Sequence, residues 1–100
     1  MRVPRKIDIS GYTLRIAYKE KLFYNGEECF GTYIPSEKTI YLTKGIVPAR
    51  KLEVFLHEFT HCIEDIYRIK ISEENVGNIA LGFLQLIINP KVELWTTKKK

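Results

Sequence analysis

The spacing of the apolar residues changes once along this chain, and that change constrains the fold more than any other feature. Up to Thr43 apolar and polar residues alternate; from Ala49 onward the apolar residues recur at intervals of three and four. Alternation suits a strand half-buried on one face, and the longer interval suits an amphipathic helix. A chain that begins in one and continues in the other is expected to be an α+β domain, with a sheet packed on helices. Within the first half, Tyr12–Lys19 sets Leu14, Ile16 and Tyr18 on one face. Asn25-Gly26, between Lys21 and Glu28, is the strongest short turn signal. Phe30–Ile34 and Thr39–Thr43 flank a turn at Pro35–Lys38, which predicts a β-hairpin with Ile40 and Leu42 inward. The N-terminal strand is expected to complete a short antiparallel sheet of about three strands.

The second half predicts two helices. Pro48 suits a first helical turn, where its missing N–H has no partner to lose. No Gly or Pro interrupts Ala49 to about Arg68, and Leu52, Phe55, Leu56, Phe59, Ile63 and Ile66 form one apolar face. Ser72 is a favourable N-cap for a second helix, whose stripe is Val76, Ile79, Ala80, Phe83, Leu84 and Ile87, ending at Asn89-Pro90.

One hundred residues with 45 % hydrophobic content fit a single domain (1–100) with a modest core over about 7–90 and a tail at 91–100, in which Trp95 would fold back. A core this small leaves room for a bound metal to contribute to stability. Cys29 and Cys62 are far apart and outside any Cys-x-x-Cys spacing. They are expected to be reduced and at least partly buried, as in a cytoplasmic protein. No apolar run is long enough to span a membrane, and the start lacks a signal-peptide core, so no membrane association or export is expected. The net charge of +4 is mild, and Lys98–Lys100 supplies much of it. No basic stripe interleaved with aromatics is present, which argues against a nucleic-acid partner.

The chemistry concentrates on the first helix. His57 and His61, the only two histidines, stand four apart and so share one face with about 6 Å between their Cβ atoms. Glu58 beside them would reach a water on the metal. This is the His-Glu-x-x-His arrangement of zinc peptidases. Chance gives the pattern roughly once in a few hundred such sequences. Zinc needs a third protein ligand and an open position. Cys62 points toward the apolar side. Asp65 would stretch the row to about 12 Å, too long for one ion, and serves better as an outer acceptor or a surface charge. Glu73 continues the buried stripe of the second helix, whereas Glu74 is turned about 100° away. Glu73 is therefore the expected third ligand, with Glu74, Asp65 and Glu64 as fallbacks. Either glutamate is otherwise an ordinary first-turn carboxylate favoured by the helix dipole.

His57-Glu58-Phe59-Thr60-His61, followed by Ser72–Val76 and Ala80–Phe83 up to Asn89-Pro90, resembles the small ImmA/IrrE-like zinc metallopeptidases, above all their minimal phage and prophage members. The likeness runs from Leu52 to Pro90 and is weaker over Ile7–Thr43. It implies a zincin-like fold, in which a short twisted sheet precedes an active-site helix and a second helix brings a glutamate to the metal, and a place in the cytoplasm of a bacterium or a phage-infected host cell. Glu73 matches that glutamate best. The chain departs from larger relatives around Ala80, where Ile79 and Leu81 replace a Glu-Ala-Asn-type run.

The expected function is zinc-dependent hydrolysis of a peptide or protein substrate, with Glu58 as general base and with Tyr33, Tyr41 or Tyr67 as candidate oxyanion donors. An edge strand, Phe30–Ile34 or Thr39–Thr43, would bind the peptide by strand addition. The alternative is a catalytically silent zinc-binding interaction or regulatory module; a nucleic-acid accessory role ranks third. Substrate identity and oligomeric state are not legible.

Overall fold

The computed structural model describes residues 2–89; Pro90 and the tail, with Trp95 and the lysine run, lie outside the described residues. Six strands precede two helices: β1 (Lys6–Ile9), β2 (Tyr12–Lys19), β3 (Leu22–Tyr24), β4 (Glu27–Cys29), β5 (Gly31–Ile34), β6 (Thr39–Thr43), α1 (Pro48–Tyr67) and α2 (Glu73–Ile88). The domain is α+β, but the sheet is not three-stranded and antiparallel. It has four strands in the order β1-β2-β6-β5, and β3-β4 forms a separate two-stranded ribbon. The central pair, β2 and β6, is parallel, with Ile16 opposite Ile40 and Tyr18 opposite Leu42. The reason is the excursion through β3-β4, which carries the chain across the sheet before β5 and β6 turn back. The β5-β6 hairpin forms as expected, with Tyr33 opposite Ile40.

Two tight turns fix the local register. Asn25 and Gly26 both have positive φ (52° and 82°), as a type I′ hairpin turn requires. Ser10 and Gly11 do the same between β1 and β2 (48° and 85°). The turn between β5 and β6 is tied by Lys38 Nζ, which donates to the Pro35 carbonyl at 3.0 Å.

Leu14, Ile16, Ile40 and Leu42 line one sheet face and pack on Leu52, Phe55, Leu56 and Cys62 of α1. Tyr18 is largely exposed, unlike its strand neighbours. On α2 the buried residues are Val76 and Ala80, with Leu84 and Ile87 packed against the core. Ile79 and Phe83, expected inward, are exposed at 38 % and 42 %. Helix α1 has the sheet along one side and α2 along another, so α2 covers only a narrow strip and needs only a narrow buried face. Val47 N-caps α1 without a side-chain hydrogen bond and Pro48 opens it; Ser72 caps α2, its Oγ accepting from the Asn75 N–H at 3.2 Å. Both cysteines are free thiols, Cys29 partly buried and Cys62 fully so. No described helix is long and apolar enough to cross a membrane.

Candidate metal centre

Helical geometry places His57 above His61 on α1, and their ring centroids are 5.2 Å apart. Both imidazoles meet the start of α2, on the cleft that β5 also lines. Helix α1 ends at Arg68, which takes a left-handed conformation (φ 56°, ψ 47°), and its N–H bonds the Glu64 carbonyl. The Ile69 N–H bonds the same carbonyl at 3.1 Å. This tight stop returns the chain so that Glu73 opens α2 opposite the two histidines. One carboxylate oxygen of Glu73 lies 2.8 Å from His57 Nε2 and the other lies 3.3 Å from His61 Nε2.

His57, His61 and Glu73 thus form a His/His/Glu cluster that can coordinate a divalent metal ion, with donor atoms all within 4.8 Å of one another. Three donors about 2.0–2.2 Å from one tetrahedral ion stand about 3.4 Å apart, so the set fits zinc with small side-chain shifts. Two neutral imidazole nitrogens and one carboxylate are also donors that zinc prefers. Glu73 is more exposed than its place on the stripe suggests: its side chain is 72 % accessible, and only the carboxylate tip swings back to α1. Glu74 is exposed and makes no part of the cluster.

Glu58 lines the same cleft, an open cavity of about 780 Å³. Burial pushes its carboxyl up, while the imidazoles of His61 and His57 pull it back down. The Glu73 carboxylate raises it further, and a backbone hydrogen bond from Tyr33 lowers it. That last contact identifies the opposite wall as β5, an edge strand. Because the Thr43 N–H bonds the Phe30 carbonyl, antiparallel alternation turns the backbone groups of Gly31 and Tyr33 away from β6 and toward the cleft. Gly31 allows the close approach: a Cβ there would meet Val54 Cγ1 at 2.6 Å, Leu42 Cδ2 at 3.1 Å and Glu58 Cγ at 3.4 Å. Strand β6 is interior, so it offers no free edge for strand addition.

Comparisons with family models, curated proteins and solved structures give no match. The resemblance to ImmA/IrrE-like peptidases therefore rests on the motif and its setting. What stands is a small α+β domain with a His/His/Glu cluster of a general zinc-binding kind.

The remaining candidates are not ligands. Asp65 also lines the cleft, one helical turn beyond His61, but lies outside the cluster: its Oδ2 accepts from the Tyr33 hydroxyl at 2.6 Å and from Lys38 Nζ at 2.9 Å. These partners keep its carboxyl below the usual range, the Tyr33 hydrogen bond contributing most. Of the three tyrosines, only Tyr33 lines the cleft, and its hydroxyl is committed to Asp65. Tyr41 donates to Glu37, and Tyr67 meets Ser10. Sequence reasoning undervalued Glu64. It is not in the cluster, yet its carboxylate meets His61 Nδ1 at 2.7 Å and accepts from the Ile71 N–H at 2.8 Å. The one available signal was its spacing, a single helical turn beyond His61.

Proposed function

We propose that this chain is a zinc-binding protein whose metal is held by His57, His61 and Glu73. The observation that carries the reading is the convergence of three zinc-type donors from two helices on one point. Two functions follow from such a centre. In one, the ion is a clasp: it fixes the exposed start of α2 to α1 and supports a non-catalytic interaction or regulatory module. The high exposure of Glu73 and the small domain favour this reading, since metal binding alone would order that corner.

In the other, the centre hydrolyses peptide bonds. Glu58 and β5 favour this reading. Zinc, when bound, supplies a Lewis acid and brings the pKa of a coordinated water toward about 7. Glu58 is a half-buried carboxylate with a raised proton affinity, suited to accept a proton from water and return it to a leaving amine. The outward carbonyls of Gly31 and Tyr33 would accept from an extended peptide along the edge of β5, the Tyr33 N–H being engaged by Glu58.

Zinc content measured on the purified protein and on His61→Ala tests the shared premise, and equal content in both rejects it. Glu58→Gln then separates the two functions. On the hydrolytic reading it keeps zinc and fold but loses cleavage of unfolded casein and peptide libraries. Retained cleavage removes Glu58 as the base, and absence of cleavage in both proteins leaves the clasp as the function.

A further inference from the structure

We propose that Glu64 is the positioning residue of the metal centre, and that one carboxylate sets the geometry of two of the three ligands. This rests on the zinc-binding reading above. Oε1 of Glu64 meets His61 Nδ1 at 2.7 Å, and Oε2 accepts from the Ile71 N–H at 2.8 Å. The Glu64 side chain is only 18 % exposed, so both contacts are sheltered from water.

The first contact fixes a tautomer. A carboxylate offers lone pairs only, so Nδ1 of His61 donates to Glu64 at 2.7 Å, the shorter of its two carboxylate contacts, and Nε2, 3.3 Å from Glu73, is the nitrogen left to give its lone pair to a metal. The second contact fixes the connection between the helices. The backbone carbonyl of Glu64 already accepts from Arg68 and Ile69 at the end of α1. Its side chain then holds Ile71, two residues before Glu73. Glu64 thereby ties the orientation of His61 to the position from which Glu73 reaches the cluster. His57 has no comparable second carboxylate among the described contacts, so the geometry hangs on the His61 side.

Glutamine has nearly the same shape but cannot replace this function. It offers one acceptor oxygen and one donor amide. If the oxygen faces Ile71, the amide faces Nδ1 and selects the wrong tautomer; if the oxygen faces His61, the Ile71 N–H loses its acceptor.

Glu64→Gln should lower zinc affinity by about 10–100-fold, as loss of an outer hydrogen-bond partner does at other metal sites. Zinc titration against a competing chelator reads this. Two readouts on metal-free protein accompany it: imidazole nitrogen NMR for the His61 tautomer, and amide hydrogen exchange at Ile71. We expect a shift from the Nδ1–H tautomer, or faster exchange at Ile71. Asp65→Asn, which loosens a neighbouring anchor of the same helix, should lower stability and leave zinc affinity and tautomer alone. If Glu64→Gln keeps affinity within about twofold and leaves tautomer and exchange as in the native protein, the proposal is overturned. So it is if Asp65→Asn weakens zinc as much, which reduces Glu64 to general stability. Failure of the native chain to bind zinc refutes the metal reading, and the two metal-free readouts still decide the role of Glu64.

Discussion

The contact between Asp65, Tyr33 and Lys38 joins α1 to the hairpin that walls the cleft, and its strength follows from its geometry. Tyr33 is 8 % exposed and donates a 2.6 Å hydrogen bond to a carboxylate, while the lysine partner is 27 % exposed. A hydrogen bond to a charged group contributes about 1.5–3 kcal/mol net, and a part-exposed ion pair about 0.2–1 kcal/mol. Asp65→Ala should therefore cost about 2–3 kcal/mol, because it also leaves a sheltered hydroxyl without its acceptor. In a domain of this size that lowers the melting temperature by roughly 10–20 °C. Tyr33→Phe should cost less. The double variant should cost about 1–2 kcal/mol less than the sum, since removing both partners leaves nothing orphaned. Urea denaturation of the four proteins measures the cycle. The sign with pH is fixed by the direction of the shift. The Asp65 carboxyl is held below its ordinary value, so its contribution is complete above about pH 4, the unfolded pKa, and is lost as pH falls through the lower folded value. The gap between native and Asp65→Asn should be flat from neutral pH to about pH 4 and shrink below. Additivity within about 0.5 kcal/mol, or a gap that widens in acid, refutes the reasoning.

Glu73→Ala should weaken zinc binding more than about tenfold, as loss of a carboxylate ligand, while Glu74→Ala should change it little; chelator competition reports both, and the reverse order would move the ligand to Glu74. Gly31→Ala should destabilise by about 1–3 kcal/mol through the 2.6 Å contact with Val54, and Gly31→Ala/Val54→Ala should recover much of that; a thermal melt showing no loss in the single variant contradicts the close approach. Saturating zinc at about 100 times its dissociation constant adds about 2.7 kcal/mol, so calorimetry should show a melting point higher by about 10 °C or more than in chelator.

Much of this architecture is written in local signals. Asn25-Gly26 specifies its own turn, Pro48 and Ser72 mark the helix starts, and His57 and His61 share a face because a helix repeats every 3.6 residues. These features depend on a few neighbouring residues, so a linear reading recovers them. The parallel pairing of β2 with β6 does not, because nothing in Tyr12–Lys19 records which later strand lies beside it. The buried stripe of α2 is narrower than its period implies for a related reason: Ile79 and Phe83 carry the helical period, but the width of the covering surface is a tertiary fact. Helical register points to Glu73, but it implies a buried carboxylate, and the side chain is mostly exposed. The role of Glu64 is not legible because it depends on Ile71, a backbone partner that no residue pattern announces.

The parallel pair at the centre of the sheet also sets the order in which the molecule can assemble. The β1-β2 and β5-β6 hairpins close over short loops, on the scale of about 1–10 μs. Joining β2 to β6 must wait for a larger loop that includes β3-β4, and non-local pairing of this kind slows folding. The residues around the metal centre, from His57 to Glu73, lie in a contiguous helix–turn–helix stretch downstream of that slow step. Substitutions in the β2-β6 seam, such as Ile16→Ala or Ile40→Ala, should act on the rate of folding, whereas substitutions in α2 should act mainly on the rate of unfolding.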